Sequence, residues 1–108
     1  MKIPLDLRFL GLTPSQAVEA AVHARVSHIE RMCPDVTAWR VTIDQEHKHQ
    51  RQGRPFSVRV DITVPGQELA ITRAHDEDVY VALRDAFDAA QRKLEDFVRA
   101  RREAQRHS

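Results

Sequence analysis

The chain has 108 residues, a formal net charge of +1, 42% apolar and 31% charged residues, which is the composition of one small folded domain over residues 1–108 and not of a disordered chain. No apolar run approaches the roughly 18–20 residues that cross a bilayer, and a charge inside the first apolar stretch makes Met1 to Asp6 a poor secretory leader. The one cysteine, Cys33, excludes an internal disulfide and fits a reducing compartment, so the expected location is the cytoplasm.

Ile3, Leu5, Leu7 and Phe9 alternate with Pro4, Asp6 and Arg8, the two-residue period of a strand with one buried face. Gly11 to Pro14 breaks that period. Thr13 is a good N-cap, Pro14 suits a first helical turn, and Gln16 stands where a capping box needs it. Val18, Val22, Val26, Ile29 and Cys33 then recur at steps of three and four, which predicts an amphipathic helix. Pro34 stops it at about Met32, because proline disfavours helical geometry in the residue before it.

Three strand signals follow. Trp39, Val41 and Ile43 form the first, and Phe56, Val58, Val60, Ile62 and Val64 the second. Pro65-Gly66 reads as a type II turn into a short third strand around Leu69 and Ile71. Gln45 to Pro55 is polar throughout and reads as a loop. From Asp76 the period returns to 3.6: three acidic residues suit a helix N-terminus, and Val79, Leu83, Phe87, Ala90, Leu94 and Phe97 make one stripe. The tail from about residue 100 is expected to fray. The predicted order is β-α-β-β-β-α, an α+β fold. Its four-stranded mixed sheet carries both helices on one face, with the first two strands parallel across a right-handed crossover.

Catalytic chemistry has little to stand on. The three glycines, at 11, 53 and 66, form no phosphate loop, and no Gly-Lys-Ser/Thr occurs. Cys33 beside His28 could be a nucleophile, but a cysteine that completes an apolar helical stripe is far more often core. His47-Lys48-His49 and His75 near Asp76 and Asp78 lack the three or four convergent ligands of a zinc site, and a solvated loop that contains histidines is the favoured reading. No cofactor, metal, membrane or small-molecule substrate is expected, and the protein is not expected to be an enzyme.

The net charge of +1 hides a polarised chain. By segment, residues 1–44, 45–59, 60–90 and 91–108 carry 0, +3, −5 and +3. Arginine outnumbers lysine 14 to 3, a bias that suits bidentate phosphate contacts and that a GC-rich genome would also produce. Phe9, Trp39, Phe56, Phe87 and Phe97 all fall on predicted buried faces, and Tyr80 flanks the second helical stripe. With no stacking platform left, an RNA contact would be to phosphate and shape.

Asp78-Val79-Tyr80-Val81-Ala82-Leu83, leading into a long helix with Arg92 and Leu94, resembles the second-helix pattern D-M-Y-x-A-I…D-K-L-x-R-Q-L of the ribosome hibernation-promoting factors. These are also called ribosome-associated inhibitors or sigma-54 modulation proteins. Arg25 to Glu30 is similar to the family's first-helix K-F-x-K-L-E, and element order and length agree over essentially the whole chain. The resemblance implies a stress protein that binds small-subunit ribosomal RNA in the mRNA/tRNA channel and silences the ribosome. It implies a short form without the dimerisation domain of long forms, and a monomer off the ribosome. By position it assigns RNA contacts to Arg25, His28 and Arg92. Charge reasoning alone adds Lys93, Arg99, Arg101 and Arg102. The chain departs from the pattern at Ala89, where the family has lysine, and at Glu95, Asp96 and Val98, where it is basic. The alternative is a protein-interaction module that uses the long C-terminal helix and no RNA.

Overall fold

In the computed structural model, which describes residues 3–45, 55–70 and 74–106, the elements are β1 (Leu5–Leu10), α1 (Gln16–Met32), β2 (Ala38–Gln45), β3 (Phe56–Val64), β4 (Gln67–Ala70), β5 (Ala74–Asp76) and α2 (Val79–Arg106). The strands run β1-β2-β3-β4 across the sheet, with β1 parallel to β2 and the later pairs antiparallel. The alternating strands place Trp39, Val41, Ile43, Val58, Val60 and Ile62 on one face, each at most 2% exposed. Val18, Val22, Val26 and Ile29 of α1 and Leu83, Phe87, Ala90 and Leu94 of α2 bury in that same core, so both helices cover one face of the sheet. The opposite face carries Asp6, Arg8, Arg40, Thr42 and Arg59. The fold class is the one the period changes predict.

Three details differ from the sequence reading. α1 begins at Gln16 with Ser15 as its N-cap, its side-chain oxygen accepting from the Val18 amide at 3.3 Å, and does not begin at Pro14 behind Thr13. β1 ends at Leu10, and the residues up to Pro14 are spent crossing from the sheet layer to the helix layer, so the next capping hydroxyl along starts the helix. Gln45 belongs to β2, opposite Phe56, because β3 is long enough to pair it. A fifth short strand, β5, pairs with Phe56 to Val58 on the same edge where β4 pairs with Asp61 to Val64, the two registers offset by one residue. Gly66 has φ +88°, as the Pro65-Gly66 turn requires. Ile71, assigned to the third of these strands, and His47, Lys48, His49, Arg51 and Arg54 lie outside the described residues.

α2 is the element that shapes the surface. Its 28 residues span about 42 Å, against about 30 Å for the nine residues of β3 beneath it, so its C-terminal turns overhang the sheet. Phe87 meets Trp39 with ring centroids 6.1 Å apart, and the Trp39 indole N–H donates to Glu30 Oε2 at 3.0 Å, which ties α1, β2 and α2 together. Because α2 uses its apolar stripe on β3 and β5, that stripe is not available to a partner.

Candidate nucleic-acid interface

The aspartate that opens the second-helix pattern caps α2. Asp78 Oδ1 accepts from the Tyr80 amide at 2.9 Å, while the Asp78 carbonyl accepts from the Ala82 amide at 3.0 Å. Ala82 and Leu83 of the same pattern are buried, at 0% and 1% exposure, so most of the signature encodes a helix start and its packing. Tyr80 remains, 49% exposed and outside the core. It is the exposed aromatic that the expectation of phosphate-only contact passed over. Its signal was available: Tyr80 sits one residue past Val79 in the stripe, about 100° round the helix from it.

The sequence-predicted cations divide once the fold brings them together. Arg25 of α1 faces Asp88 of α2 at 3.8 Å, an exposed ion pair that links the two helices. His28 is exposed one turn further along α1. On α2, Arg92, Arg99 and Arg102 recur at steps of seven and three along the exposed side of the helix, and of these Arg99 and Arg102 stand beside the end of α1. Arg106 extends the row by one more turn. Arg99 pairs with Asp96 at 3.3 Å, whereas Arg92, Arg102 and Arg106 make no ion pair with any described residue. Arg99, Arg102 and Arg106 line an open cleft of about 570 Å³ against Met32 and Cys33 at the end of α1, with Val98 and the carboxylates Glu95 and Glu103 also in its lining.

Lys93 and Arg101 point elsewhere. Lys93 Nζ donates to the Ala70 carbonyl at 3.0 Å, at the end of β4. Arg101 reaches Asp35, in the turn after α1, at 3.5 Å and lies 5.8 Å above the Phe97 ring. Local spacing could not reveal this, since both partners are remote in sequence. Cys33 is 6% exposed in the core, and burial, with help from the Glu95 and Asp35 carboxylates, pushes its thiol above the ordinary range, the opposite of an activated nucleophile.

The uncovered sheet face is a poor rival for phosphate. Arg8 and Arg40 share Asp6, at 3.1 and 3.6 Å, and Arg59 is held by Asp61 at 3.2 Å. Each of these guanidinium groups already has a carboxylate partner. Among the described residues, the arginines without a carboxylate partner lie instead on the helices, Arg31 on α1 and Arg92, Arg102 and Arg106 on α2. Such a surface can take several phosphates through charge-assisted, bidentate hydrogen bonds.

Comparison with known proteins agrees with the residues quoted. Residues 5–102 match the family described as sigma 54 modulation protein / S30EA ribosomal protein. A ribosomal subunit interface protein from Coxiella burnetii superposes with a TM-score of 0.75 at 13% identity, covering 88% of this chain and 97% of its own. The N-terminal domain of Thermus thermophilus Protein Y superposes with a TM-score of 0.71 at 19% identity, covering 90% and 99%. At these identities the likeness shows the fold. No curated protein matches the sequence significantly.

Proposed function

The chain belongs to the sigma 54 modulation protein / S30EA ribosomal protein family, a family of ribosome-associated factors and not of enzymes, and from that premise we propose that it silences translation by occupying the small subunit where mRNA and tRNA would lie. Under this reading the domain is one ribosome-binding unit that acts in the cytoplasm under stress, by steric occlusion and without a cofactor. The contacts are to ribosomal RNA phosphates, from Arg25, His28, Arg92, Arg99 and Arg102 on the exposed sides of α1 and α2. Lys93 and Arg101 contribute by holding α2 in place. The family match over residues 5–102 carries the proposal, and Arg92, Arg102 and Arg106, exposed on α2 with no ion pair to any described residue, support its placement.

Co-sedimentation with isolated small subunits tests it. Binding is expected to fall steeply with salt, because each phosphate contact releases counterions. Arg92→Glu with Arg102→Glu is expected to weaken binding at least about tenfold near ~0.1 M salt and to flatten the salt slope by about two units. The circular dichroism spectrum should stay unchanged. No binding at low salt, or a slope untouched by the double substitution, contradicts the proposal.

A further inference from the structure

β1 is an outer strand: among the described residues it pairs with β2 and with nothing else. The Trp39 amide donates to the Pro4 carbonyl at 2.9 Å, and Leu5 stands opposite Trp39. In a parallel ladder every second residue makes the bonds, so Pro4, Asp6, Arg8 and Leu10 face β2. Leu5, Leu7 and Phe9 therefore turn their amides and carbonyls to the open edge. Six residues of extended chain with one free hydrogen-bonding edge are a template for another strand.

The side chains specify which strand. Asp6 and Arg8 stand on the uncovered face two residues apart and of opposite sign. An antiparallel pairing of β1 with β1 of a second copy, centred on Leu7, puts Asp6 of each chain opposite Arg8 of the other. Leu5, Leu7 and Phe9 then meet Phe9, Leu7 and Leu5 of the second copy as hydrogen-bonded pairs, each exchanging two bonds. The Asp6–Arg8 pairs fall at the non-hydrogen-bonded positions, where side chains approach most closely. The same register sets Leu10, which is 49% exposed on the uncovered face, against the exposed Pro4 of the second copy. Centring the pair on Asp6 or on Arg8 instead would oppose like charges. A shift by a single residue would set core-facing side chains against solvent-facing ones.

We infer that β1 is a self-pairing edge through which two copies of this chain join their sheets into one, in the register centred on Leu7. The inference is independent of ribosome binding and departs from the monomer implied by the family resemblance. It leaves the α2 stripe in the core of each copy. Within each chain Asp6 already pairs with Arg8 at 3.1 Å, so association exchanges that contact for its equivalent across the interface.

Sedimentation velocity of the full chain over about 1 to about 300 µM tests it. A concentration-dependent dimer is expected. Arg8→Glu and Asp6→Lys, each alone, should weaken dimerisation at least about tenfold, by opposing like charges at both symmetric positions. An equimolar mixture of the two variants should recover a dimer. In the mixed pair the introduced lysine of one chain faces the introduced glutamate of the other, and the Arg8 kept by the first faces the Asp6 kept by the second. A monomer at every concentration, a dimer indifferent to both substitutions, or a mixture that stays monomeric overturns the inference. If either variant fails to fold, amide exchange of the unsubstituted protein decides: the Leu5, Leu7 and Phe9 amides should gain protection as concentration rises, and unchanged protection overturns the proposal.

Discussion

From Val79 to Leu94, α2 sends Ala82, Leu83, Ala86, Phe87, Ala90 and Leu94 into the core; from Glu95 to Arg106 it buries none and carries four arginines. Phe97 and Val98 mark the transition, half-buried where the helix leaves the sheet. One uninterrupted helix thus runs from a packed part, whose period is read by β3 and β5, into an overhanging part whose period is read by solvent and the end of α1. The lesson is that stability and phosphate contact are carried by different residues of the same element, and each can be changed with little effect on the other.

The largest expected effect comes from the packed part. Phe87 is 1% exposed and meets Trp39 at 6.1 Å, so Phe87→Ala is expected to cost about 3–5 kcal/mol of folding stability, a large share of the stability of a small domain. Urea unfolding measures it. Protein that remains folded should bind small subunits as before, since Phe87 is buried against Trp39 while Arg92, Arg99, Arg102 and Arg106 are exposed. A variant that kept its stability but lost binding would erase the distinction between the two parts.

A smaller effect is expected at the junction, and only in alkali. Cys33 closes α1, its amide donating to the Ile29 carbonyl at 2.8 Å, and its thiol is pushed up first by burial and then by Glu95 and Asp35. The sign follows from linkage. A thiol whose pKa is raised on folding stabilises the fold fully while pH lies below its unfolded pKa, and that contribution is lost as pH rises through the raised folded value. The stability difference between the unsubstituted protein and Cys33→Ala should therefore shrink or reverse as pH rises above about 8.5, the ordinary thiol value, into alkali. A difference that stays constant over that range would show that the thiol does not lose its environment on ionising.

Much of this was legible in the sequence, for reasons that can be named. Alternation over Phe56 to Val64 and the 3.6 period over Val79 to Phe97 are local signals, and the core reads them directly. β5 was not legible: Ala74-His75-Asp76 has no strand period and is extended only because Phe56 to Val58 offers it a partner. Ser15 displaced Thr13 because the distance between layers, which no local motif records, decides where α1 can begin. The seven cations assigned to RNA were all found on the helices, yet the fates of Lys93 and Arg101 depend on Ala70 and Asp35, which spacing along α2 cannot reveal.

Arg101 is the residue that tests the division most finely, because it stands in the overhanging part and by charge belongs with Arg99 and Arg102. Its contacts say otherwise: Asp35 at 3.5 Å and the Phe97 ring at 5.8 Å hold it against the chain. Both contacts are partly solvated, so their combined worth is modest, about 0.5–1 kcal/mol. Arg101→Ala is accordingly expected to lower stability by about that much in urea unfolding, and to change small-subunit binding less than about threefold, a step smaller than one lost phosphate contact. Arg102→Ala, one residue on with no ion partner among the described residues, should do the reverse, leaving stability within about 0.5 kcal/mol and weakening binding more. If Arg101→Ala weakens binding as much as Arg102→Ala, Arg101 leaves Asp35 when the ribosome is bound, and the overhanging turns act as one charged surface without the internal anchor the contacts describe.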